Sequence, residues 1–272
     1  VIIYVNTLLP FGAALAGKLM GKKVIYHIHE TSVKPLVLKR FLMFVAKKTA
    51  SEIIYVSHFL AQDAAISSVP TKVVHNALSN DFIEKANIYK AERDTKTKNN
   101  KLFTTLMLCS LKDYKGVKVF VELAKQLPQM SFQLVLNAAQ NDINNYFQDI
   151  QKPDNLSLYP TQSNVHPFYQ NADVVLNLSH PEQWIETFGM TLLEAMYYDL
   201  PVIAPPVGGP IEVVQHGENG FCIDQRNVRE IIDILTKMAN DTTLYNRLSE
   251  KAFETAKKFN VGRMQQEILD CL

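Results

Sequence analysis

A chain of 272 residues, 47% of them apolar, is long enough for one large domain or two ordinary ones with packed cores, which excludes a disordered chain. Its 28 basic and 27 acidic residues leave a formal charge of +1, so the global basic field of a nucleic-acid binder is missing and any anionic partner must be met locally. Three widely spaced cysteines, Cys109, Cys222 and Cys271, suggest neither a disulfide framework nor a zinc site and point to a reducing cytoplasm.

In chain order, a β-branched run at residues 1–5 opens the sequence without an initiator methionine, which reads as a fragment or a processed product. Asn6, Thr7 and Pro10 interrupt the apolar start and no basic stretch precedes it. Residues 1–21 therefore read as buried strand, loop and helix rather than as a signal or membrane segment. A strand at 23–27 runs into His29 and Glu30; a histidine at a strand's carboxyl end faces the ligand crevice of a parallel sheet, and the alternative is a core histidine, since His27 alternates to the same side. Residues 34–48 carry Lys34, Lys39, Arg40, Lys47 and Lys48 among apolar residues. They predict a helix with a packed side and a solvated basic side, the alternative being weak peripheral contact with the inner face of a membrane.

Further strands are predicted at 52–56, 72–75, 102–108, 133–137, 173–178, 202–204 and 220–223, with helices between most of them. That alternation predicts an α/β protein with parallel sheets, whose ligands collect at the carboxyl ends of the strands. Residues 89–101, polar and charged, read as a linker or hinge between a first domain at 1–88 and a second at 102–257, followed by an amphipathic C-terminal helix at 258–272.

Neither G-x-G-x-x-G nor G-x-x-x-x-G-K-[ST] occurs, and no D-x-D triplet supplies ligands for a divalent metal. The segment SLKDYKG, residues 110–116, follows a strand and precedes a helix, so Lys112 and Lys115 project from a strand end as candidate phosphate charges; the alternative is two solvated loop lysines. In ETFGMTLLE, residues 186–194, Glu186 stands before a helix and Glu194 within it. The backbone N–H groups near Thr187, Phe188 and Gly189 would be the free donors of the helix start, which favour an anion. In APPVGGPIE, residues 204–212, Gly208 and Gly209 either admit a ligand close to the backbone or make the turn, and Pro210 suits the first helical position.

Together ETFGMTLLEAM, SLKDYKG, HPFYQNADVVLNLS and DLPVIAPPVGGPIEVV followed by GENGF resemble glycosyltransferase family 4, retaining enzymes of the two-domain GT-B fold, over nearly the whole chain. The resemblance implies two Rossmann-like domains facing a cleft, the N-terminal one incomplete, with the C-terminal helix at 258–272 packing back on it. It implies that Glu194 accepts hydrogen bonds from the nucleotide ribose, that Glu186 with the backbone of Thr187, Phe188, Gly189 and Met190 holds the donor sugar and distal phosphate, and that Lys115 neutralises the leaving diphosphate. His29 would touch the transferred sugar or the acceptor, and Gly208 and Gly209 would line the same cleft. Family members usually carry an arginine five or six residues before the lysine of the K-G pair; Cys109 or Ser110 holds that place here, and Lys112 is the candidate substitute. The expected activity is metal-independent, cofactor-free transfer of a hexose-type sugar from a nucleotide-sugar to a glycan or lipid-linked acceptor, in cytoplasmic synthesis of a cell-surface polysaccharide or glycolipid. The rival expectations are a non-catalytic nucleotide-sugar binding module and, third, a GT-B sugar-nucleotide epimerase.

Overall fold

The computed structural model describes residues 1–30, 33–66, 68–95 and 102–272. The chain forms two compact units, one of Val1–Ala77 with Phe259–Leu272 and one of Leu78–Lys258.

The first unit runs β1 (Ile2–Asn6), α1 (Phe11–Leu19), β2 (Lys23–Ile28), α2 (Leu36–Thr49), β3 (Glu52–Tyr55), α3 (His58–Asp63) and β4 (Thr71–Val73). Its four strands are all parallel, in the order β1-β2-β3-β4. β2 is buried along almost its whole length, as expected of an apolar strand covered on both faces.

The second unit opens with α4 (Asn80–Thr95) and continues through β5 (Thr104–Ser110), α5 (Val117–Gln126), β6 (Ser131–Asn137), α6 (Gln140–Phe147), β7 (Leu156–Tyr159), α7 (His166–Asn171), β8 (Val174–Leu176), α8 (Met190–Tyr197), β9 (Val202–Ala204), α9 (Pro210–Val213), β10 (Gly220–Cys222), α10 (Val228–Asn240) and α11 (Thr242–Ala256). The parallel strand order is β10-β9-β8-β5-β6-β7. The chain builds outward from β5 to β7, then returns to the other side of β5 and builds outward again. β5 and β8 thus flank the topological switch point, where ligands of open parallel sheets bind beyond the carboxyl ends of the strands.

After the second unit, α12 (Val261–Leu269) completes the first. Met264 and Ile268 pack on a cluster of Ile25, Ile54, Val74 and Cys271, and Lys72 Nζ donates to the Glu267 carbonyl at 2.9 Å.

Three features differ from the sequence expectation. Residues 89–95, predicted as linker, are the end of α4, while 96–101 lie outside the described residues. The division falls at Ala77/Leu78 and Lys258/Phe259 rather than at residues 88 and 257. α4 misleads because it is polar almost all round and is held by a few anchors. Tyr89 stacks on His166 with centroids 5.5 Å apart, its carbonyl accepts from Gln170 Nε2 at 2.7 Å, and Lys90 Nζ lies 3.7 Å from the Phe253 ring centre. The third difference is β7, a four-residue strand at the end of the sheet order that has too short an apolar pattern to be read.

Candidate active site

The switch point of the second unit collects most of the residues singled out in the sequence. β5 ends at Ser110, and a single 3-10 turn, Asp113–Lys115, leads into α5 through Gly116. Gly116 has φ +79°, and a Cβ there would stand 2.4 Å from both Cβ and the carbonyl oxygen of Leu178. Only glycine lets the K-G turn sit this close to the chain leaving β8. His180 N donates to the Tyr114 carbonyl at 2.7 Å, and Tyr114 stacks on Trp184 with ring centres 5.2 Å apart, so the turn and the loop after β8 are fastened together.

Lys115 is aimed by that fastening. Its Nζ pairs with Glu186 Oε2 at 2.7 Å, donates to the buried Ser179 Oγ at 3.3 Å and lies 5.0 Å from the centre of the Trp184 ring. The lysine side chain is 14% exposed and the glutamate 23%, so this pair is shielded far more than an ordinary surface ion pair. Lys112 is exposed at the start of the same turn, apart from this pair.

Glu186 in turn rests on the β9–α9 loop. Gly209 N donates to the Glu186 carbonyl at 2.8 Å. A Cβ on Gly209 would fall 2.1 Å from the Thr187 carbonyl oxygen, and one on Gly208 would fall 2.4 Å from the Glu186 carbonyl oxygen. The space left by both missing side chains is filled by protein main chain, so the close approach these glycines permit is that of two loops. Pro210 takes the first turn of α9, as its sequence position predicts. Beyond the Glu186–Thr187 main chain, Phe188 is buried, and Gly189 is the N-cap of α8, which has no side-chain cap. Met190 and Thr191 open the helix, at the end where backbone N–H groups and the helix dipole favour negative charge.

A cavity of about 460 Å³ opens at the carboxyl ends of β5 and β6. Cys109, Ser110, Asn137, Thr161 and Gln162 line it together with Glu194 of α8, which projects from the helix body. Its volume lies within the range of small-ligand pockets. Tyr169 OH donates to Glu194 Oε2 at 2.6 Å. Burial pushes the Glu194 carboxyl above its ordinary value, opposed by that hydrogen bond, and burial followed by the Glu194 charge pushes the Tyr169 phenol up. Burial drives the Cys109 thiol up to about 12, against the pull of Lys115, which favours its neutral form in the cavity wall.

His29 belongs to the first unit, just past the end of β2. Its ring centre lies 4.2 Å from that of His27, and Tyr4 OH and His27 Nδ1 share a hydrogen bond of 2.7 Å. Among the described residues Nε2 of each histidine is buried without a partner. Burial lowers both rings, His27 to about 4 with help from His29, while Glu30 pulls His29 the other way. Both are neutral at pH 7. Glu30 is occupied: its carboxylate accepts from Leu8 N at 2.8 Å and from His29 N at 3.1 Å.

Sequence reasoning missed Tyr169, Ser179 and Trp184, as well as the Asn137–Thr161–Gln162 wall. Tyr169 stands inside HPFYQNADVV, but its hydroxyl acquires a partner only when α7 and α8 are side by side. Nothing local in the sequence marks it.

The chain is similar to several glycosyltransferases. It shares 25% identity over 170 residues with an uncharacterized glycosyltransferase of Haemophilus influenzae, covering 60% of this chain and 47% of that one. It shares 24% over 270 residues with the N-acetyl-alpha-D-glucosaminyl L-malate synthase of Bacillus anthracis, covering 93% of this chain and 69% of that one. The chain thus spans less than half the length of the Haemophilus relative. Among solved structures, the fold matches Anabaena HepE in complex with UDP and glucose at a TM-score of 0.81 and 23% identity, over 99% of this chain and 77% of that one. It matches sucrose-phosphate synthase of Thermosynechococcus elongatus at a TM-score of 0.77 and 18% identity, over 99% and 72%. Residues 89–255 match the family model described as glycosyl transferases group 1, and with more than half of its length inside that model the chain belongs to this family.

Proposed function

We propose that this chain acts in a retaining, family 4 glycosyltransferase that moves a hexose-type sugar from a nucleotide-sugar to a glycan or lipid-linked acceptor in the synthesis of a cell-surface polysaccharide or glycolipid. The observation that carries the reading is the shielded Lys115–Glu186 pair at the switch point, with the Glu194 cavity on the same sheet edge. The nucleoside would enter the cavity, where the Glu194 carboxylate would accept from ribose hydroxyls. The diphosphate would lie against Lys115 and the N–H groups at the start of α8.

The chemistry follows from charge. As the glycosyl–phosphate bond breaks, its electron pair moves to the phosphate oxygen, and Lys115 with the helix start stabilises the growing negative charge without a metal. The acceptor hydroxyl attacks on the face from which the phosphate departs, its proton passing to the departing oxygen, so the anomeric configuration is retained. Glu186, released from Lys115 when the diphosphate takes its place, is then free to accept from hydroxyls of the sugar. His29, neutral and with an unused ring nitrogen, is suited to a hydrogen bond with a sugar or acceptor hydroxyl. Lys112 is assigned a weaker charge contact with the distal phosphate. The location assigned is the cytoplasm.

The test is to incubate the protein with UDP-, GDP- and ADP-sugars and an acceptor panel, and to follow donor consumption and the anomeric configuration of the product. Because Anabaena HepE was solved with UDP and glucose, UDP-glucose is the first donor to try. Transfer with retention is expected. Donor binding without transfer or hydrolysis across the panel would instead favour a binding module, and donor isomerisation without acceptor an epimerase.

A further inference from the structure

Helix α2 has a normal inner face, where Leu42, Val45, Ala46 and Thr49 are buried. Its outer face is abnormal. A helix on a core usually turns charge and amide groups outward, yet here Val37 is 76% exposed and Phe44 58%, with Leu36 and Phe41 exposed beside them. Positions 37, 41 and 44 share one side of a helix. The strip continues onto α1, where Phe11 meets Phe41 edge-on with centroids 5.1 Å apart and Leu19 is 88% exposed. Beside it a groove of about 450 Å³ is lined by apolar Met43, Phe44 and Ile66 and by basic Arg40 and Lys47.

The charge of this face identifies its partner. Residues 31–51 contain five lysines and arginines and no acidic residue, one of the five, Lys39, being paired with Asp63 of α3 at 3.8 Å, in a chain whose 28 basic and 27 acidic residues otherwise nearly balance. A second copy brought face to face would set this basic strip against itself, which opposes a symmetric dimer here. A nucleic-acid backbone would satisfy the bases but leave Val37, Phe41 and Phe44 against charged phosphate. An anionic bilayer satisfies both, with headgroups for Arg40, Lys47 and Lys48 and an acyl boundary for the apolar residues between them. Among the described residues no helix is long and apolar enough to cross a membrane, so the contact is one of lying on the surface.

We infer that the outer face of α2, extended by α1, is a docking surface for an anionic lipid bilayer. It is independent of the donor site, since none of its residues belongs to that site. The experiment is co-flotation of the protein with vesicles of phosphatidylcholine alone and of phosphatidylcholine mixed with phosphatidylglycerol, at low and high salt. Binding to the anionic vesicles only, weakened by salt, is expected. Arg40→Ala, Lys47→Ala and Lys48→Ala combined should lower the partition coefficient about a hundred-fold, on the basis of roughly five-fold per charge. The double substitution Val37→Ser and Phe44→Ser should also release the protein; both side chains are exposed, so the thermal unfolding profile should be retained. Equal binding to neutral vesicles, no binding to anionic ones, or retention of binding by both variants would overturn the inference. So would absence of vesicle binding with a dimer that Val37→Ser and Phe44→Ser dissociate.

Discussion

The carboxyl edge of the second sheet and that of the first handle polar groups in opposite ways. In the second unit Lys115 and both glutamates of the candidate site are paired, Lys115 with Glu186 and Ser179 and Glu194 with Tyr169, while Lys112 lies exposed beside them. In the first, past the end of β2, His27 and His29 stand ring against ring with buried, unpartnered Nε2 atoms among the described residues. A pre-paired site exchanges one ionic partner for another when an anion arrives, so little desolvation remains to be overcome. Unpartnered neutral rings have hydrogen-bonding capacity that only a ligand or water can use. The difference is in keeping with the proposed function, which gives charge handling to the second unit and hydroxyl recognition to the first.

The contrast can be broken most forcefully at Lys115. In the proposed function Lys115 faces the leaving group, so Lys115→Ala should lower sugar transfer by about 10²–10³-fold, with binding of the nucleoside alone little changed. A variant with transfer within a few-fold of the parent would show that the charge is handled elsewhere.

On the first unit the test is pH. Burial holds His27 at about 4 in the folded chain, below its ordinary 6.5, so the unfolded chain binds more protons between these values. Stability is therefore full above pH 6.5 and is lost as pH falls toward 4, by up to roughly 3 kcal/mol. Urea unfolding across this range should show the loss, and His27→Gln should flatten it. Identical profiles for the two proteins would mean that the ring is not held neutral.

The smallest effect is expected at Glu186. Neutralising it, Glu186→Gln, removes the group that competes with a diphosphate for Lys115. UDP should bind about two- to five-fold tighter while transfer falls, since the sugar loses an acceptor. Weaker UDP binding by this variant would indicate that Glu186 organises Lys115 rather than competing with it.

Much of the fold was legible because β-branched runs such as those around Ile25, Ile53 and Val135 are buried strands with helices between them. Where the signal failed, it did so for a physical reason. α4 is too polar to look packed, because it is held by single anchors such as Lys90, whose Nζ also pairs with Asp199 at 2.9 Å. The pairing of Lys115 with Glu186 joins residues 71 positions apart and depends on strand order, which no local pattern encodes. Gly208 and Gly209 were readable as places of close approach, but not that the approaching atoms belong to Glu186 and Thr187. Two glutamates eight positions apart suggested one shared anion site; in the fold they have different partners, Lys115 and Tyr169.

In the proposed function the Glu194 cavity holds the nucleoside end of a donor. Calorimetric titration of UDP into the chain and into Glu194→Ala tests it most directly. Saturable binding is predicted, weakened about 10- to 100-fold by the substitution, as loss of hydrogen bonds to a buried carboxylate implies. Affinity of the parent should also fall on acidification with a midpoint above the ordinary glutamate value, because burial raises this carboxyl and its ionised form is the one that grips. Equal affinity in the two proteins, or no binding of UDP, GDP or ADP by either, would contradict the account.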